Sequence, residues 1–295
     1  MKSFKFLMLL AVLILAGTAC FSQNAPDTTR ITRIETRDGN TYTGYVASQD
    51  TVALILRTDN LGDIRIPRSE IISIREFRNM AKVKGRYWLP NPQSTSYFWA
   101  PNGYGLNKGE GYYQNIWILY NQFTGGLANN FSLGGGLIPL FFFGGTATPL
   151  WIMPKISIPV VRDKLNIGTG ALLGTIAGSE NPGFFGLLFG IATFGTRDKN
   201  MSFGLAYGFA EGGMTRLPVF NVSGLLRVGP KGYLITENYI VPSENSTLVI
   251  LSGGGRTLVK NISIDYGLWL PVTRDMDPFV IIPSLGINVQ LGKNR

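Results

Sequence analysis

From about Asn115 to Leu291, the chain sets a bulky apolar residue at every second position and a small or polar residue between. In residues 201–210, Met201, Phe203, Leu205, Tyr207 and Phe209 fall on one face, and Ser202, Gly204, Ala206, Gly208 and Ala210 on the other. A two-residue period is a strand signature, because successive Cβ atoms of an extended chain point to opposite sides. One face of nearly every strand is greasy and the other is small and wettable. That is the pattern of a transmembrane β-barrel, with lipid outside and small or polar side chains in the lumen. The 37 glycines recur inside these strands. Glycine weakens a strand unless something packs closely against it, and a narrow lumen is such a place.

Charge divides the chain. Residues 23–86 carry 19 charged residues in 64, whereas 87–295 carry 24 in 209. The second value suits lipid contact, where ionisable groups are expensive. Ahead of both regions, Lys2 and Lys5 precede an apolar run from Phe6 to Ala16 that is too short to span a bilayer, which reads as a secretory signal. Cleavage after Ser22 and lipidation at Cys20 are both open. Cys20 is the only cysteine, so the exported part has no disulfides. The expected organisation is a signal peptide over 1–22, a small periplasmic β domain over 23–79, a linker over 80–95 and an outer-membrane barrel over 96–295.

In the small domain, strand patterns run over 31–37, 42–48, 52–58, 63–67 and 71–75, with turns at Asp38-Gly39 and Asp59–Gly62. The stretch 36–74 resembles the five-stranded SH3-like or Sm-like small barrels at Asp38, Gly39, Gly44, Asp50, Gly62, Ile66, Pro67 and Ile71. The resemblance implies an interaction module. No residue marks a ligand site, so plug, spacer and docking roles stay open.

The remainder divides into about twelve strands, at 96–106, 112–126, 131–143, 150–161, 165–177, 184–195, 201–211, 218–228, 232–241, 247–259, 262–272 and 279–291. The turns form two alternating sets. Those at 129–130, 162–164, 197–200, 230–232 and 260–261 are tight and mostly basic; those at 144–149, 178–183, 211–218, 242–246 and 273–278 are longer. Short turns belong to the periplasmic side of such barrels. Outward positions are expected to include Phe131, Leu133, Leu137, Phe185, Leu187, Phe189, Ile191, Ile262, Ile264, Tyr266, Leu268, Leu270, Leu285, Ile287, Val289 and Leu291. Lumen positions are expected to include Gly134, Gly136, Gly186, Gly190, Gly204, Gly208, Asn221, Ser223, Ser284, Gly286, Asn288 and Gln290. Lys155, Arg227, Arg256 and Asp265 also fall on the inner side, as structural ion pairs or as the lining of a polar passage. Aromatics near strand ends, among them Tyr97, Phe98, Trp99, Tyr104, Tyr112, Phe141–Phe143, Trp151, Tyr233, Tyr239 and Trp269, read as interfacial girdles, with carbohydrate stacking as the other reading.

Residues 105–136 resemble a segment of uncharacterised Gram-negative outer-membrane β-barrel proteins, through Lys108–Tyr113, Asn129–Ser132 and Gly134–Gly136. The resemblance implies an all-β fold and an outer-membrane location, and it brings no activity. The net charge of +9 suits a surface near anionic lipid or lipopolysaccharide, and the resemblance adds the barrel assembly machinery, which usually reads a terminal aromatic. This chain ends Leu291-Gly292-Lys293-Asn294-Arg295, which leaves open an internal signal or a different β fold.

The absence of histidine removes Ser-His-Asp catalysis and His-metal sites. Gly168–Gly174 and Ser252–Arg256 lack the spacing of nucleotide loops. No enzyme, cofactor, metal or nucleic-acid role is expected. Three functional readings follow: a structural or small-solute-pore barrel of the envelope, an anchor whose small domain binds a periplasmic partner, or a soluble exported β protein or lipid carrier.

Overall fold

The computed structural model describes residues 31–77, 81–83, 86–88, 91–139, 147–178, 182–243, 246–259, 261–273 and 280–292. The signal-peptide reading, with Cys20, lies outside them, as do Phe141–Phe143 and much of the longer turns. The chain separates into two compact units between Asn79 and Met80.

The first unit is an antiparallel sheet of β1 (Ile31–Thr36), β2 (Thr41–Gln49), β3 (Ala53–Thr58), β4 (Gly62–Pro67) and β5 (Ile71–Phe77), in the order β4-β3-β2-β1-β5. Its alternation buries Ile34, Leu54, Leu56 and Ile66 against Tyr42, Val46, Ile64 and Ile71, an ordinary apolar core. The first hairpin turns where sequence predicts. Gly39 takes φ +83°, and the Asp38 carboxylate accepts from the Thr36 hydroxyl at 2.6 Å and the Asn40 amide N–H at 3.2 Å.

The second unit opens with a short hairpin, β6 (Ala81–Val83) and β7 (Arg86–Trp88), where sequence suggests only a linker. The closed barrel follows. Its strands are β8 (Glu110–Ile116), β9 (Tyr120–Ala128), β10 (Phe131–Leu137), β11 (Thr148–Val161), β12 (Leu165–Ala177), β13 (Phe184–Thr196), β14 (Lys199–Ala210), β16 (Val219–Arg227), β17 (Gly232–Pro242), β18 (Thr247–Val259), β19 (Ile262–Val272) and β20 (Ile282–Gly292). Between β14 and β16, the two-residue β15 (Gly213–Met214) folds back on β14. Each wall strand pairs antiparallel with its neighbour, and β20 pairs with β8 from Glu110↔Gly292 to Ile116↔Gly286, so no edge is left open. The fold is all-β, with twelve wall strands. Both barrel termini lie at one end, together with the short turns at 129–130, 162–164, 197–198 and 228–231 and the β18–β19 connection; this is termed the terminus end, and the opposite one the loop end.

The strand count matches expectation through two compensating differences. Residues 96–106 are not a wall strand, and the single strand expected over 112–126 is the hairpin β8–β9. Trp117 and Ile118 turn that hairpin with φ of +53° and +67°. A bulky pair in this region of backbone space carries no sequence signature of a tight turn, which favours glycine or asparagine.

Outward residues form an apolar belt: Ile152, Phe203, Phe220, Leu234, Leu268 and Leu285 are each exposed, on strands around the wall. Apolar surface on this scale marks contact with lipid or another apolar phase. One strand departs from the expected facing. Thr193 pairs with Asn166 and Ser202, and its hydroxyl meets Ser202 Oγ inside the barrel. Phe185, Leu187, Phe189 and Ile191 share its parity, so they face the lumen, and Gly186 and Gly190 face outward. The large side chains fit because each has a small neighbour on at least one side: Phe189 lies between Gly170 and Ala206, and Leu187 between Leu172 and Gly208. The apolar–apolar composition of β13 leaves its facing undetermined until polar Thr193 is paired.

Candidate functional site

The lumen is occupied by the chain itself. Residues 91–106, interrupted by Pro92, Pro101, Gly103 and Gly105, cannot sustain a ladder strand, and their only bridge is Ser96↔Pro101. They run as a strap inside the terminus-end half of the barrel, where Asn91, Gln93, Tyr97, Phe98, Asn102 and Tyr104 are all buried. The aromatic pair Tyr97 and Phe98 packs on Leu225, Tyr233, Ile235, Leu258 and Trp269 of the wall. Burial of each ring contributes about 1.5–3 kcal/mol. The close fit leaves no room for a side chain at Gly103, whose Cβ would meet the Asn166 carbonyl oxygen at 2.4 Å.

Charged wall residues hold the strap. Arg256 and Asp265 face each other across β18 and β19 and form a bidentate pair, with Nε–Oδ1 at 2.6 Å and Nη2–Oδ2 at 2.8 Å. Arg256 is fully buried, and its remaining donors reach strap carbonyls, Gln93 O at 2.7 Å and Tyr97 O at 2.6 Å. Asn288 Nδ2 adds a bond to Asp265 at 3.0 Å. Glu237 on β17 is the counterpart of Arg256. Its carboxylate accepts three successive strap amides, from Phe98 at 2.7 Å, Trp99 at 2.9 Å and Ala100 at 3.1 Å, and the Tyr239 hydroxyl besides. Lys155 Nζ donates to Tyr104 O at 2.6 Å, and Arg197, in the β13–β14 turn, donates to Ser94 Oγ and Gly105 O, each at 2.8 Å. Charge-assisted bonds of this kind are roughly twice as strong as neutral ones.

Of the four charged positions singled out by sequence, Arg256 and Asp265 are brought together and Lys155 reaches the same strap from the opposite wall. Arg227 sits apart at the terminus end, paired with Asp198 at 2.9 Å, with its guanidinium 4.7 Å from the Trp88 ring centroid and 5.1 Å from that of Tyr233. Glu237 and Arg197 were not legible as site residues. Glu237 had one available signal: it shares the Tyr233, Ile235 and Tyr239 parity, so a charge there must point inward. The girdle reading is corrected for several aromatics. Tyr97, Phe98, Trp99 and Tyr104 belong to the strap, and Tyr112, Trp151, Tyr233, Tyr239 and Trp269 face the lumen, where Tyr233, Tyr239 and Trp269 pack in the cluster around Tyr97 and Phe98. Among the described residues no cluster of potential metal ligands occurs.

No protein-family model matches the chain, and no curated protein matches it. Solved structures similar to it include a KdgM porin in complex with disordered oligogalacturonate (8% identity, 61% of this chain and 97% of that one, TM-score 0.43). The CymD monoaromatic hydrocarbon channel is similar at 7% identity, covering 90% of this chain and 88% of that one, with a TM-score of 0.39. An anion-selective porin from Comamonas acidovorans is similar at 13% identity, covering 90% and 97%, with a TM-score of 0.33. Likeness at this level carries no functional argument, and the lumen geometry stands on its own.

Proposed function

We propose that this chain is an integral outer-membrane β-barrel protein of the cell envelope, non-catalytic, whose lumen is closed at rest by its own residues 91–106. The observation that carries the reading is the strap, tied to opposite walls by Arg256, Glu237, Lys155 and Arg197. A barrel with an apolar outer belt and a polar, filled interior fits a lipid surround. A soluble exported carrier fits less well, because the apolar residues of that belt are exposed and no second layer among the described residues covers them. Apart from the Tyr97–Phe98 aromatic cluster, strap and wall meet through polar groups, which water can solvate on separation. The closure is therefore suited to opening, and the barrel serves as a structural component in the closed state and a small-solute pore in the open one.

The terminus end is assigned to the periplasm, since its turns are short and carry Arg162, Lys164, Arg197, Lys199 and Lys231. The N-terminal sheet is read as an exported SH3-like or Sm-like module, on its β4-β3-β2-β1-β5 order, with a periplasmic protein as its candidate partner. Membrane fractionation and a heat-modifiability gel test the location; recovery in the soluble periplasmic fraction without detergent would overturn it. Planar-bilayer recording tests the closure. The full chain is expected to be silent and a variant lacking residues 91–106 to conduct in discrete steps. Steady conductance by the full chain would reject the closed reading.

A further inference from the structure

The strap closes only the terminus-end half. Above it the lumen changes character. Trp99, at the top of the strap and 40% exposed, stacks on Tyr120 with centroids 6.2 Å apart and planes 8° apart, and Tyr120 stacks on Trp151 at 5.0 Å and 26°. Trp117 meets Trp99 edge-on at 5.9 Å, and Trp269 flanks it at 5.6 Å. The result is a floor of aromatic rings. One ring of the floor and one of the facing wall are seated by glycines, in one hydrogen-bonded row of Gly136, Trp151, Gly174 and Phe185: the Trp151 ring lies over Gly136 and the Phe185 ring over Gly174, each where a Cβ would sit within 2.4 Å.

Three polar tips of the floor are already engaged. Trp117 Nε1 donates to Pro283 O at 2.8 Å, Trp151 Nε1 to Gln122 Oε1 at 2.9 Å, and the Tyr120 hydroxyl to the same oxygen at 2.6 Å. The buried Trp269 Nε1 has no partner. The facing wall is apolar. Leu172, Phe185, Leu187 and Phe189 point inward, and the lumen-facing described residues of β12–β14 at this level carry no charge. Leu187 is 39% exposed although it faces the lumen, so the space in front of it is open.

From this we infer that the loop-end half of the lumen is a binding site for an uncharged, planar, ring-bearing small molecule. Stacked rings present apolar faces to such a ligand. A saccharide would need hydrogen-bonding groups along its edges; the facing wall supplies none, and Glu237 is spent on the strap. The inference rests on the closed-barrel reading, because the strap supplies Trp99.

Four of the five tryptophans, all but Trp88, belong to this floor, so intrinsic fluorescence reports the site directly. The test is energy transfer from tryptophan to N-phenyl-1-naphthylamine, with the full exported chain in nanodiscs and folding checked by heat modifiability. Transfer is expected to saturate and to persist in Trp88→Phe. Affinity is expected to fall about tenfold in Trp99→Ala, the loss of one ring contact. Leu187→Gln, which leaves the strap alone, is expected to weaken binding comparably. Transfer that does not saturate, or that is equal in both variants, means partition into lipid and overturns the site. Displacement of the probe by maltohexaose means a saccharide platform and also overturns it. A silent wild type that fails to bind sinks this inference alone, whereas a conducting wild type that binds sinks only the closed reading.

Discussion

The two halves of the lumen solve opposite problems with the same wall. At the terminus end, long charged side chains reach inward to a strap rich in Asn, Gln, Ser and Thr, and stability depends on each buried charge keeping its partners. At the loop end, rings lie over glycines and the space in front of Leu187 stays open. The contrast shows that a barrel interior is not polar by default. Polarity follows what fills it, since a buried charge survives only where it is paired and hydrogen-bonded.

The comparison breaks most sharply at Arg256. Arg256→Ala leaves Asp265 buried without its partner and strips two strap carbonyls of their donor, and the expected loss is about 3–5 kcal/mol in urea-unfolding stability in detergent. Combining Arg256→Met with Asp265→Leu should recover much of that loss; failure to recover would mean that the strap contacts, not the unpaired carboxylate, dominate. Glu237→Gln comes next. An amide has one acceptor oxygen for the three strap amides, so a loss of about 1–3 kcal/mol is expected, together with brief openings in bilayer recordings of an otherwise silent barrel. A silent trace from a folded Glu237→Gln protein would place the latch elsewhere. In the loop-end half, Leu187→Ala should lower stability by about 1 kcal/mol or less, because its side chain is only partly covered; a loss as large as that of Glu237→Gln would show a packed half-lumen instead of an open one.

The smallest effect belongs to the N-terminal sheet, where polar contacts are on the surface. The Asp38 carboxyl is held below the usual carboxylate range, first by the Thr36 hydroxyl and then by the Asn40 amide groups. Its folded pKa lies below its unfolded one, so its contribution is fully present above about pH 4 and is lost as pH falls through the lower folded value. An NMR titration of labelled aspartate in the full chain should show the Asp38 midpoint below that of an unstructured aspartate. Thr36→Ala should move it back up, with no change in barrel stability.

Part of this architecture is written in every second residue. Lipid contact acts on each outward position independently, so β14, β19 and β20 display their facing without knowledge of their neighbours, and the parity of the turns fixes which ends lie together. The small sheet is equally plain, because Asp38-Gly39 and the alternation around Leu54 and Leu56 are local signals. Inside the barrel the constraint is collective. A lumen position accepts glycine or phenylalanine as long as the row across it complements the choice, so the facing of β13 was decided by the pairing of Thr193 with Asn166 and Ser202. The strap has no period at all; its Pro and Gly residues read as a broken strand, and only the convergence of Arg256, Glu237, Lys155 and Arg197 from distant strands shows that it is cargo of the lumen. Outside β13, sequence alone determined what faces the oil, since that depends on one residue at a time; tertiary structure decided what fills the interior, since that depends on residues more than a hundred positions apart meeting at hydrogen-bond distance.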